Sequence, residues 1–443
     1  MTENIAHSVA GWQVIGAAVI FLVCYALIIT EKINRTVIAL CGAIVMIILG
    51  IVDFHLSYTV HIHWETIFLL LGMMILVGVT NRSGAFNYIA IRTAQSAKGN
   101  PVKILTRLAI LTAIGSAFID NVTTVLLIAP ISIAIANTLR INPTPFLITE
   151  ILICNIGGAS TLVGDPPNIM IGVAAGLSFN DFLIHITPII IALVFITIVF
   201  LKRYFAKHLH VDEQYKRKLM ETNPKDYISD SALAKKSLFV FILTVLGFFT
   251  HQLFHLEPAV VALSGGTLLL LIGTKEKDLE AVFHSVEWLT IFFFAGLFVL
   301  VGGLVETGII PMLATWMIQI TGGNLVSTSF ILLWGAGLAS AFVDNIPLVA
   351  TMIPLVQDMA AQLALAPVEV YTLWWSLAIG ACLGGNGTLI ASSANLLVAS
   401  VAAREGTPIS FIDFLKVSVP VTLITLAIGT VYVYIVFIRM GLA

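Results

Sequence analysis

A chain of 443 residues that is 59% hydrophobic and 10% charged, with a mean hydropathy of +1.03, lacks the roughly one-quarter charged fraction of a soluble domain and belongs in a lipid bilayer. Its formal net charge of −2 is silent about partners because the charges are segregated along the chain, and no nucleic-acid partner is expected. The four cysteines (Cys24, Cys41, Cys154, Cys382) lie in apolar segments without paired spacing, so the sequence suggests neither a disulfide framework nor a zinc site.

Each apolar run of about 20 residues can cross a hydrocarbon core. In chain order, the runs predict spans near 11 to 30, 36 to 52 and 64 to 80, a hairpin over 103 to 139, an interrupted span over 145 to 175 and a span over 183 to 201. The pattern then recurs, with spans near 237 to 254, 258 to 273 and 288 to 305, a hairpin over 326 to 362, an interrupted span over 371 to 402 and a last span over 415 to 438. The N-terminal tail has neither the basic region nor the cleavage site of a signal peptide, so the first run is expected to stay as a helix. These elements divide the chain into a first repeat (1–203), a basic linker (204–235) and a second repeat (236–443).

The two repeats share wording as well as pattern. Ser116-Ala-Phe-Ile-Asp120-Asn121 returns as Ser340-Ala-Phe-Val-Asp344-Asn345, and Trp64-Glu-Thr-Ile-Phe-Leu-Leu-Leu-Gly72 as Trp288-Leu-Thr-Ile-Phe-Phe-Phe-Ala-Gly296, both 224 positions on. Gly157-Gly-Ala-Ser-Thr161-Leu-Val-Gly164-Asp165-Pro-Pro-Asn168 returns 227 positions on as Gly384-Gly-Asn-Gly-Thr388-Leu-Ile-Ala391-Ser392-Ser-Ala-Asn395. Each hairpin carries Asp-Asn at its tip. If its arms dip in and return on one side, each half crosses five times, and an odd number inverts the second half relative to the first. The expected fold is therefore an all-α polytopic membrane protein, an inverted repeat of two five-crossing halves, each with a re-entrant helical hairpin and a broken transmembrane helix. With both termini outside, 21 of the 22 Lys and Arg residues fall on the cytoplasmic side, and only Arg439 does not, as the positive-inside rule requires. The linker is then a cytoplasmic, solvated basic connector.

Ionisable groups at membrane depth cost about 3 kcal/mol or more each and persist where they line a cavity or a pathway. Here they are acids: Asp120 and Asp344 at the tips, Asp165 in the first break, and Glu150 early in the same interrupted span. No Lys or Arg is expected among them. The plainer alternative is that they cap helix N-termini from wet positions near the surface. Gly157, Gly158, Gly164, Gly384, Gly385 and Gly387 interrupt two helices and free backbone groups that lipid cannot satisfy. Thr161, Ser160, Thr388, Ser392 and Ser393, with the amides of Asn121, Asn168, Asn345 and Asn395, supply donors and acceptors beside these breaks. Cys154 and Cys382 stand just before the glycine pairs, where a thiophilic substrate would meet them, although buried cysteine is commonly a small apolar residue. His55, His61, His63, His251 and His255 map to the outer side as scattered interfacial residues, and no metal site or catalytic residue is expected. An intramembrane aspartyl protease would need a Gly-x-Gly-Asp signature, but Leu162 stands where its first glycine would be.

At Asp120-Asn-Val-Thr-Thr, Gly164-Asp-Pro-Pro-Asn168, Asp344-Asn-Ile-Pro and Ala381-Cys-Leu-Gly-Gly-Asn-Gly-Thr388, the chain resembles the ion transporter superfamily. The similar branch holds arsenite permeases of the ArsB type, NhaD-type sodium/proton antiporters and the melanosomal P protein. The resemblance covers nearly the whole chain and implies a secondary transporter of a bacterial inner membrane, without a cofactor, coupled to protons or sodium. It also implies a shared site between hairpin tips and broken helices, a homodimer, and, as for some arsenite permeases, a cytosolic ATPase as partner. Related dicarboxylate carriers read Ser-Asn-Thr at the tips, where this chain has Asp. A carboxylate there repels a dianion at short range, which favours a small neutral or cationic inorganic substrate. Proton-coupled efflux of arsenite or antimonite leads, sodium/proton antiport is second, and a passive channel for an anion or neutral hydroxide is third.

Overall fold

Lipid offers no partner to a free backbone N–H or C=O, and all regular structure among the described residues is helical. The computed structural model describes residues 10–30 and 32–442; the tail ahead of them, expected to carry no signal peptide, lies outside the described residues. The first half runs through α1 (Gly11–Thr30), α2 (Arg35–Ile48), the short α3 (Phe54–Leu56), α4 (Trp64–Arg82) and α5 (Ala85–Ser96). It continues with the hairpin α6 (Pro101–Phe118) and α7 (Asn121–Leu139), the broken helix α8 (Thr144–Gly158) and α9 (Pro166–Ala175), then α10 (Phe179–His185) and α11 (Thr187–Phe205). After α12 (Glu213–Glu221) in the linker come α13 (Ser231–Thr250), α14 (Pro258–Gly273), α15 (Glu276–His284), α16 (Trp288–Glu306) and α17 (Ile309–Thr321). The second hairpin is α18 (Leu325–Ser340) and α19 (Asn345–Gln362), the second broken helix α20 (Pro367–Gly384) and α21 (Ser393–Arg404), and α22 (Phe411–Tyr432) follows.

The repeated motifs do repeated structural work. Asn100 opens the first hairpin by accepting the Lys103 N–H at 3.0 Å, and Asn324 opens the second by accepting Ser327 N–H at 3.1 Å. At the start of the second arms, Asp120 accepts Thr123 N–H at 2.9 Å and Asp344 accepts Ile346 N–H at 3.1 Å. The Trp-to-Gly motif places a glycine where helices of different halves cross. A Cβ at Gly72 would lie 2.5 Å from the Ala262 backbone, and one at Gly296 2.8 Å from the Ala39 backbone. Hence α4 packs on α14 and α16 on α2, each half's third long helix against the other half's second. With α1 and α13 they form one bundle, while hairpins and broken helices form another, in which α6 packs on α8, α18 on α20, α7 on α21 and α19 on α9.

Besides the short helices α3, α10 and α15 and an α13 that begins at Ser231 within the expected linker, three features depart from the expectation. The second span stops at Ile48 rather than near 52, because Leu49 and Gly50 close the helix, with Gly50 at φ 65°. The helices α5 and α17 are additional to the expected spans; each begins after a glycine at φ 76°, Gly84 and Gly308, again 224 positions apart. Those glycines are their signal, since a left-handed residue that only glycine adopts easily turns the chain out of the preceding span. Finally, the linker is not merely a solvated connector. Leu219 of α12 is buried, Gln95 Nε2 donates to the carbonyls of Leu219 (3.1 Å) and Thr222 (2.5 Å), Ser229 N–H donates to Ser83 O at 3.0 Å, and the Arg140 guanidinium lies 5.2 Å over the Tyr215 ring. These bonds tie it to α5 and to the end of the first hairpin.

Candidate functional site

Both helix breaks fold onto their hairpins through matched hydrogen bonds. Ser116 Oγ donates to Cys154 O (2.7 Å) and Ser340 Oγ to Ala381 O (2.8 Å). Thr161 Oγ1 donates to Ala117 O, and Thr388 Oγ1 to Ala341 O at 2.6 Å. Asn168 Nδ2 satisfies the carbonyls of Ala159 (3.0 Å) and Thr161 (2.9 Å), as Asn395 Nδ2 satisfies those of Gly385 (2.8 Å) and Thr388 (2.9 Å). The two asparagines therefore staple the unwound backbone and the two threonines pin it to the hairpin arms, pairing carbonyls that would otherwise stay unpaired away from water at a cost of about 1–3 kcal/mol each. Gly157, Gly158, Gly164, Gly384 and Gly387 sit where a Cβ would strike backbone or hairpin atoms, and one at Gly385 would lie at a tight 3.3 Å from Cys382 O and at 3.6 Å from Asn345 Nδ2.

The two halves meet at Asp165, which is wholly buried. Its Oδ1 accepts Asn121 Nδ2 at 3.2 Å and its Oδ2 accepts Asn345 Nδ2 at 3.3 Å. One carboxylate thus joins the amides of both hairpin tips. The equivalent position in the second break is Ser392, whose Oγ donates to Asn155 Oδ1 at 3.3 Å. Asp120 is buried and bonded to its own turn, where Thr123 Oγ1 donates at 2.6 Å. Both tip acids cap helices, as the plainer alternative held, but they do so beside the buried Asn121 and Asn345 rather than in surface loops.

The expected absence of a basic residue among the acids is corrected by the structure. Arg35, the first residue of α2, places Nη1 2.7 Å from Asp344 Oδ2 and 2.6 Å from Ser393 Oγ, with its guanidinium 4.7 Å over the Phe293 ring. It lies 309 positions from its partner, next to a loop where its charge reads only as a topology marker. Glu150 lies apart from the tips, buried, with Ser132 Oγ donating to its Oε1 and no partner on Oε2.

Asn155 and Asn386 join the site although the motifs do not single them out. Asn155 Nδ2 donates to Asn386 Oδ1 (2.9 Å) and Asn395 Oδ1 (2.8 Å), and Asn386 Nδ2 donates to Leu152 O (3.0 Å). The position matching Asn155 is Cys382, whose thiol donates to Asn168 Oδ1 at 3.4 Å. So each broken helix holds the terminal asparagine of the other half's break. Cys154 is not its counterpart; it donates to Asn121 O at 3.2 Å. An amide in an otherwise apolar turn, two residues before Gly157, is the signal that the sequence offers. Asn155→Ala leaves several buried groups unpaired at about 1–3 kcal/mol each, and a thermal midpoint lowered by several degrees in detergent is the expected result.

On the outer side of the expected topology, His61 Nε2 pairs with Glu306 Oε1 at 2.6 Å, and His63 packs edge-on against Phe298. Both are half-buried and packed against α16.

The family model described as "Citrate transporter" (CitMHS) matches residues 25–380. An uncharacterized transporter of Mycobacterium tuberculosis is 42% identical over 424 residues, 95% of this chain and 97% of its own. The 46 kDa membrane protein of Mycobacterium leprae is 42% identical over 430 residues, 96% and 99% of the two chains. The P protein of Mus musculus is 32% identical over 97% of this chain and 61% of its own. Among solved structures, the YdaH transporter of Alcanivorax borkumensis superposes with a TM-score of 0.58 at 14% identity, over 97% of this chain and 99% of that one, a likeness of fold.

Proposed function

This chain belongs to the CitMHS citrate transporter family, and from that premise we propose that it is a proton-coupled exporter of a small uncharged hydroxide of the arsenite or antimonite class. It is a multi-pass membrane transporter and not an enzyme. The observation that carries the finer reading is Asp165 held between the two tip amides, with Asp120 and Asp344 beside them and Arg35 as the counter-charge. Like charges about 4 Å apart repel by about 4 kcal/mol at an effective dielectric of 20, so a citrate trianion gains little from three acids and one guanidinium. A neutral hydroxide carries no such penalty, and its O–H groups suit carboxylate and amide oxygens. Protons taken up by the acids from the outer side then supply the driving force.

The same carboxylate oxygens suit a hard cation, which supports sodium/proton antiport as the second reading. The proposal includes a homodimer in a bacterial inner membrane, both termini outside, and the docked linker on the cytoplasmic face as the surface a cytosolic ATPase would meet.

Purified protein in vesicles under an imposed pH gradient tests this. Arsenite flux at least about tenfold above protein-free vesicles, abolished by a protonophore, is the expected result. Sodium flux without arsenite flux transfers the assignment to the second reading. Arsenite or anion flux that ignores the gradient makes the protein a channel, and gradient-driven citrate flux overturns both carrier readings.

A further inference from the structure

The acids of the two hairpin tips are repeats of one another, but their surroundings are not. Asp344 and Ser393 close a triangle with Arg35, since Ser393 Oγ also donates to Asp344 Oδ2 at 2.6 Å. A second tie lies beside it: Tyr25 of α1 donates its hydroxyl to Pro347 O at 2.5 Å and lies 2.8 Å from Thr351 Oγ1. Both reach from the bundle of crossed helices to the hairpin α18–α19. Among the described residues neither has a counterpart in the other half, where Phe249 and Ala259 occupy the positions 224 residues on from Tyr25 and Arg35. There the hairpin α6–α7 faces α13 across an apolar cavity of about 250 Å³, lined by Phe118, Leu127, Ile131, Leu238 and Phe241. The Arg35 side instead holds a cavity of about 200 Å³ bordered by Ile28, Ile33, Phe342, Val343 and Asp344 itself.

The charged and titratable groups around this triangle are few. Glu287, at the start of α16, senses both Arg35 and Asp120, while Asp165 and Tyr25 sense Asp344. Among the described residues Arg35 is the cation that stands with these acids, and it pairs with Asp344.

We propose that Arg35 is a tethered counter-ion that latches the unloaded carrier, and that a proton or sodium ion on Asp344 displaces it and frees the second hairpin to move. A semi-buried ion pair is expensive to break while both partners stay charged. Once the carboxylate is occupied, the attraction holding the arginine is gone. A ligand shifts a conformational equilibrium only by its differential affinity for the two states, and here the difference is built in, because cation and guanidinium compete for the same oxygen. The bundle carrying Arg35 and the hairpin carrying Asp344 then separate only after a cargo has displaced the pair. In an exchanger the exported solute must displace it on the outward stroke as the cation does on the inward one, and the empty carrier stays latched. The inference rests on the carrier reading of the site, but its readout needs no transported solute, so a failure to move arsenite leaves it testable.

The full chain, purified in detergent with exposed Cys41 replaced by Ser, receives Val343→Cys as a reporter. Its maleimide labelling rate is divided at each pH by the rate in denaturant. In this parent, labelling is expected to be slow at pH 8.5 without sodium and at least about tenfold faster after acidification or sodium addition, the signature of a released pair. Arg35→Gln and Asp344→Asn should each label fast under all conditions, their combination no faster than either, and Arg35→Lys should restore slow, cation-sensitive labelling. If Arg35→Gln keeps the parent's cation dependence, or Asp344→Asn keeps the parent's slow rate, the latch does not exist. Parent labelling that ignores both protons and sodium excludes it equally.

Discussion

Asp165→Asn is expected to lower gradient-driven transport by about 100-fold or more while leaving the protein folded. Each buried hydrogen bond contributes about 0.5–1.5 kcal/mol, leaving one of its groups unpaired costs about 1–3 kcal/mol, and Asp165 receives one from each hairpin tip. An amide in its place offers one acceptor oxygen, so either Asn345 loses its bond or Asn121 keeps only its 3.4 Å bond to Asn155 Oδ1, and the two tips are no longer held to a common centre. The change also removes a group that can carry a proton. Flux in vesicles, with size-exclusion chromatography to verify folding, checks both halves of the statement. Asp120→Asn and Asp344→Asn are informative companions, because asparagine caps a helix as well as aspartate does and so removes charge without removing the cap. Full gradient-driven activity in all three variants would mean that these carboxylates do not couple transport to ions.

The largest effect on stability is expected at Gly384. A Cβ there would overlap the carbonyl oxygen of Gly337 and approach its Cα to 2.8 Å, so the hairpin arm α18 and the broken helix α20 touch backbone to backbone. Gly384→Val forces them apart, and overpacking of this kind costs about 1–3 kcal/mol or more. It also pulls the Ser340 and Thr388 hydroxyls from the carbonyls they serve. The expected outcome is a fall of several degrees or more in the thermal midpoint and loss of monodisperse protein. Gly335→Ala is the control: it lies on α18, the arm that Gly384 meets, nothing sits within 4 Å of its would-be Cβ, and alanine favours the helix by about 1 kcal/mol. A Gly384→Val protein as stable as the control would refute the backbone contact.

Much of this arrangement is legible in the linear chain. The duplicated Asp-Asn tips, the paired glycine breaks and the five-crossing count follow from lipid's refusal to solvate backbone groups and from two copies of one text. The repeat even encodes the crossing of the halves, since Gly72 and Gly296 stand at equivalent places and each admits a helix of the other half. The work done by individual polar residues is not legible in the same way. Thr161, Thr388, Asn168 and Asn395 have the right address but commit their hydrogen bonds to backbone carbonyls, the threonines to the hairpin arms and the asparagines to the breaks, and the spacing of a motif does not tell a staple from a ligand.

Composition and the comparison of one half with the other suffice for the solvent, the repeat, the inversion and the residues that break helices, because each depends on local content or on likeness along one chain. Folding in three dimensions was needed to establish which acid stands at the meeting of the halves, that Asn155 holds the opposite break, and that Arg35 neutralises Asp344 but not Asp120. These are pairings between side chains 180 to 309 positions apart. They depend on how two inverted copies are brought face to face, and an inverted repeat need not be symmetric in charge. Ala259, not a second arginine, occupies the position that matches Arg35.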